Sequence, residues 1–119
     1  MSLVGKWRIT HMDVWGQDAV DLVGPGFIEI GERGGQLHFI AVDGLLECRH
    51  GQRDGRPRVE FTWEGNDENE PASGRGWAKL LADGSVKGRV FIHQGDDSAF
   101  EAVPFGEGEP RSATVRSRR

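Results

Sequence analysis

Arg58-Val59-Glu60-Phe61-Thr62-Trp63-Glu64 alternates polar and apolar side chains at every step, and a turn-forming cluster, Gly65-Asn66-Asp67-Glu68, follows it. Strict alternation puts Val59, Phe61 and Trp63 on one face of a pleated strand and the polar residues on the other, the pattern of a strand with one dry face and one wet face. Comparable runs recur on both sides of this stretch. The predicted strands are Val4–Val14, Phe27–Ile30, Gln36–Val42, Leu45–His50, Arg58–Glu64, Arg75–Leu81, Ser85–His93 and Ser98–Pro104. Asp43-Gly44 and Asp83-Gly84 read as hairpin turns, and Gly31 to Gly35, Gly51 to Pro57 and Gly65 to Gly74 as loops. Asp18-Ala19-Val20-Asp21-Leu22-Val23 is the one stretch that suits a short helical turn, within a flap between the first two strands. Eight short strands at regular spacing predict an all-β fold, an eight-stranded antiparallel up-and-down barrel.

Composition narrows the function classes. The chain's 119 residues make one domain, a barrel over 1–105 followed by a basic tail over 106–119 expected to be disordered. Residues 1–105 carry 11 Lys/Arg against 17 Asp/Glu, a net −6, while the last 14 residues carry 4 Arg against 2 Glu. An acidic body repels phosphate backbones, so nucleic acid is not an expected partner. The longest apolar run, Phe39-Ile40-Ala41-Val42, is far too short to cross a membrane, and the start has no hydrophobic signal region. A lone cysteine, Cys48, has no internal disulfide partner, so a cytoplasmic location of the bacterial type is expected.

Catalytic chemistry has little support. No Gly-x-Ser-x-Gly elbow is present, and Cys48 and His50 make a loose pair without an orienting partner. His11, His38, His50 and His93 lack a His-x-His or His-Glu-x-x-His arrangement. Neither a metal nor a cofactor is expected.

The first strand opens with Gly5-Lys6-Trp7. This triplet resembles the Gly-x-Trp element of the calycin group, the small barrels that include lipocalins and avidin-like proteins. The resemblance implies that Trp7 plugs a closed base and that a ligand enters at the opposite end. The chain has no Tyr for the Thr-Asp-Tyr element of lipocalins, and its length is nearer that of avidin-like barrels. As a whole it is similar to small bacterial calycin-like proteins.

Up-and-down order places the connections after strands 1, 3, 5 and 7 at one end. That end gathers Trp15, Asp18, Asp21, Asp43, Glu64, Asn66, Asp67, Glu68, Glu70, Asp96 and Asp97 and has the longest loops. An acidic mouth suits a small polar or cationic ligand. Alternation from Trp7 and Ile9 points His11 inward beside the mouth, and Trp63 inward as a stacking surface. The expected ligand-binding set is Trp63, His11, Glu64, Trp15, Asn66, Asp67, His93 and Asp97. Lys87 and Arg89 share a face with Phe91, and Lys79 with Trp77, so both aromatics point outward. The alternative function is therefore a homodimerising or protein-interaction module that uses the Trp77 and Phe91 wall and has a filled interior.

Overall fold

The computed structural model describes residues 2–106, and the basic tail expected beyond Phe105 lies, apart from Gly106, outside the described residues. The chain runs β1 (Gly5–Met12), α1 (Gln17–Val20), β2 (Phe27–Ile30), β3 (Gly34–Phe39), β4 (Val42–Arg53), β5 (Arg56–Asp67), β6 (Glu70–Leu80), β7 (Val86–Ile92) and β8 (Asp97–Pro104). Each strand pairs antiparallel with the next, and β8 returns to β1 to close the barrel. The expected eight-stranded up-and-down barrel, with one short helix between the first two strands, is the observed architecture. No helix among the described residues is long and apolar enough to cross a membrane.

The middle strands are longer than their apolar runs. β4, β5 and β6 have 12, 12 and 11 residues, because Gly51–Arg53, Gly65–Asp67 and Glu70–Ser73 continue the ladder with both faces polar or half-exposed. A backbone ladder needs no side-chain pattern, so these extensions leave no mark in the hydrophobic alternation. The loop expected over 51–57 contracts to an Asp54-Gly55 turn in which both residues have positive φ, 55° and 77°. That is the type I′ geometry for which an Asp-Gly pair is suited. The loop expected over 65–74 contracts in the same way to Glu68-Asn69.

The turn expected at Asp43-Gly44 lies instead at Ile40-Ala41, with Ile40 at φ 59°. A β-branched residue rarely takes this conformation. Here tertiary bonds hold it: the Ile40 N–H donates to Val20 O at 2.8 Å, and Ala41 O accepts from the Glu68 N–H at 3.0 Å. The shift keeps Phe39, Val42, Gly44 and Leu46 all buried.

Inside, aromatic rings lie over glycines. A Cβ on Gly44 would meet Trp63 Cε3 at 2.7 Å, and one on Gly76 or Gly88 would meet the ring of Phe61 or of Phe100 at 2.5 and 2.7 Å respectively. Trp7, Phe39, Phe61, Trp63 and Phe100 are all buried, together with aliphatic residues from every strand. At the base Trp7 Nε1 donates to Leu3 O at 2.8 Å, and Leu3 is itself 1% exposed. Trp7 and Leu3 are therefore packed together at this end of the barrel.

The three atoms nearest a Cβ placed on Gly44 all belong to the Trp63 ring, so its substitution tests this fit. Gly44→Ala is expected to destabilise the barrel by about 1–3 kcal/mol in urea unfolding, the usual cost of overpacking. In a Trp63→Phe background the same substitution should cost less, and equal costs in the two backgrounds would show that the ring does not press on this glycine.

Candidate functional site

The mouth end is covered by the β1–β2 connection. Arg8 points outward from β1, yet it is 3% exposed because this connection folds over it. Its guanidinium grips both carboxylate oxygens of Asp21 at 2.8 Å and donates to Ile9 O at 2.9 Å and Gly26 O at 3.3 Å. Gln17 Nε2 ties the same carboxylate to Ile9 O, and the Gly26 N–H donates to Asp21 Oδ1 at 2.9 Å. These bonds seat Val20 fully inside the core and lay Trp15 against Phe39, with ring centroids 5.7 Å apart. The flap is therefore latched and packed. Leu22 and Val23 at its tip remain 67% and 66% exposed.

Burial pushes the Asp21 carboxyl up, but Arg8, the Gly26 N–H and Gln17 outweigh it and hold the carboxyl below its ordinary value of 3.8. Cys48 is half-buried, and burial raises its thiol. A raised thiol is a poor nucleophile at neutral pH. The neighbouring His50 is engaged at 2.8 Å with Gly31 O.

The expected ligand-binding residues separate into distinct places. Trp63 points inward, 2% exposed, with Nε1 donating to Phe91 O at 3.3 Å. Trp15 covers the mouth. His11 points outward, contrary to the alternation: the β1–β8 register shifts between Ile9 and His11, a bulge that turns Met12 into the core and leaves His11 exposed, 3.2 Å from Asp13. Glu64 lies on the outer face of β5, and Asn66 and Asp67 continue that strand towards the Glu68-Asn69 tip. His93 is exposed just beyond β7, and Asp97 opens β8 in an ion pair with Arg89. Among the described residues there is no group of three or more His, Cys, Asp or Glu placed to hold a metal ion.

Three of the expected residues, Trp63, Glu64 and His93, line one groove on the outer wall. A groove of about 960 Å³ crosses β4–β7, lined by Leu45, Glu47, Thr62, Glu64, Arg75, Phe91 and His93 among others. A second groove, of about 760 Å³, shares Glu47, Thr62 and Arg75 and continues to Arg33, Arg49, Arg58, Glu60 and Trp77. As the alternation predicted, Trp77 and Phe91 face outward, and each is half-buried beneath an arginine. The Arg75 guanidinium lies 4.3 Å from the Phe91 centroid and that of Arg58 5.0 Å from the Trp77 centroid. Arg58 Nη1 also donates to Glu60 Oε2 at 2.6 Å. A guanidinium held over a ring keeps N–H groups for carboxylates, a capacity that Arg58 already uses on Glu60. The charged residues that complete this wall carry no motif; their only sequence signal is polar alternation.

No protein-family model matches this chain, and no curated protein matches it.

The latch makes a direct prediction. Asp21→Asn leaves the buried Arg8 charge uncompensated and should destabilise the protein by about 3 kcal/mol. Because the folded Asp21 value is depressed, its contribution is complete above the ordinary value of 3.8 and is lost as the pH falls through the lower folded value. Unfolding measured from pH 6 downward should therefore show a loss of wild-type stability over that range, and Asp21→Asn should lack this part of it. Parallel curves for the two proteins would show that the latch contributes nothing.

Proposed function

We propose that this protein is a non-enzymatic interaction module that works through the outer wall of β4–β7, its barrel interior being filled. The observation that carries the reading is the division of space. The interior holds Trp7, Phe39, Phe61, Trp63 and Phe100 under a latched flap, whereas the continuous grooves run along the outside. A concave, mixed-charge surface with partly exposed aromatics is what association needs. The wall's carboxylates and His93 stand in the open, where general acid–base groups have no enclosed site to act in.

The Gly5-Lys6-Trp7 element and the base closed by Trp7 and Leu3 support a calycin-like assignment, and a cytoplasmic setting suits the lone Cys48. A second reading seats a small polar or cationic molecule at the mouth, and the acidic tip residues Asp67, Glu68 and Glu70 favour it. That reading needs the flap to open.

Native mass spectrometry distinguishes the two. The wall reading expects the purified protein to form an assembly heavier than the 13.1 kDa chain, and Arg75→Asp to release that chain alone. A single chain carrying a small-molecule adduct that Arg75→Asp leaves in place would overturn it.

A further inference from the structure

We infer that the partner of this wall is a second copy of the same chain, packed face to face with the two barrels antiparallel. The inference rests on the wall reading above and names the partner.

Strand registers align the outward residues into rows that cross the sheet. On the mouth side of the Cys48–Phe61–Gly76–Val90 row lies Glu47–Thr62–Arg75–Phe91, and on the base side lies Arg49–Glu60–Trp77–Arg89. One step farther out, Leu45, Glu64 and Ser73 lie towards the mouth, and Gly51, Arg58, Lys79 and Lys87 towards the base. The mouth half thus presents Glu47 and Glu64 with Arg75, while the base half concentrates Arg49, Arg58, Lys79, Lys87 and Arg89 around one carboxylate, Glu60, which Arg58 holds.

A two-fold axis lying in the interface and crossing the strands exchanges these halves and keeps each strand opposite itself. Glu47 then faces the second copy's Arg49, and Glu64 faces its Arg58. Arg75 comes over its Trp77, and Phe91 meets its Arg89, so each ring gains a cation from across the interface. Leu45, 69% exposed, falls opposite Gly51, where there is no side chain to clash. An axis along the strands between β5 and β6 instead keeps each row opposite itself, so Arg49 faces the second copy's Arg89, Arg58 faces its Lys79, and neither Glu47 nor Glu64 meets a cation. Charge thus selects the antiparallel arrangement, in the way that opposed like charges exclude wrong partners. The contact is isologous and closes at two copies.

Two variants test this on the full chain by sedimentation velocity. Glu47→Arg with Glu64→Arg makes these two mouth positions basic like the base positions they face, and Arg49→Glu with Arg58→Glu makes those two base positions acidic like the mouth positions they face. All four positions lie outside the core, and circular dichroism checks that the barrel is retained. The wild type is expected to dimerise, more weakly at high salt. Each variant alone should raise the dimer dissociation constant about tenfold or more, since like charges then face each other. Mixing the two should restore a heterodimer. A wild-type dimer that Arg75→Asp releases but neither charge variant weakens overturns this antiparallel pairing and leaves the wall reading standing. A wild type that stays monomeric at low salt, or a dimer untouched by Arg75→Asp and by both variants, overturns both.

Discussion

Closure of the sheet by the β1–β8 ladder is the constraint on which the rest of this structure depends. Trp7 pairs with Pro104 and Met12 with Phe100, so no strand of the barrel is left with both edges free. Closing eight strands into a ring leaves an interior with room for side chains and little more. Large rings fit only where the neighbouring strand is bare beneath them, which explains why Trp63, Phe61 and Phe100 each lie over glycine. The same glycines that weaken strands by propensity here allow the interior to be dry and full.

Closure also dictates the shape of the mouth. Meeting β8 in register costs β1 a bulge after Ile9, and the bulge turns the chain so that Met12, not His11, enters the core. The flap that follows is too short to be a stable helix alone, with four residues in α1. It is held by the Arg8–Asp21 pair and by Val20 in the core. A buried arginine on the outer face of a strand is costly unless its charge is met, and Asp21, Gly26 and Ile9 meet it on two of its three nitrogens. The mouth is therefore a packed and charge-locked end.

The proposed association uses the outside of β4–β7. There the residues excluded from the core are ordered in rows, since the partner strands hold them at fixed spacing. Arg58 lies over Trp77 and Arg75 over Phe91, so each aromatic ring on this wall is partly covered by a cation. Along β4 Glu47 lies towards the mouth and Arg49 towards the base, along β5 Glu64 and Arg58 do the same, and the register between the two strands aligns these pairs.

The strand number, the up-and-down order and the flap could be read from the chain itself, because alternation and turn residues are local properties. Val59, Phe61 and Trp63 could be assigned to the interior for the same reason. His11 could not, because a bulge is imposed by the strand on the other side of the closure. Nor could the Ile40-Ala41 turn, since Asp43-Gly44 is the better local turn and loses only to bonds from Val20 and Glu68. The amino-acid sequence by itself determined which residues prefer the dry face of a strand. Tertiary structure alone decided that Arg8 would be buried and that Glu47 would share a row with Arg75, because burial depends on what folds over a residue and a row depends on the registers between strands.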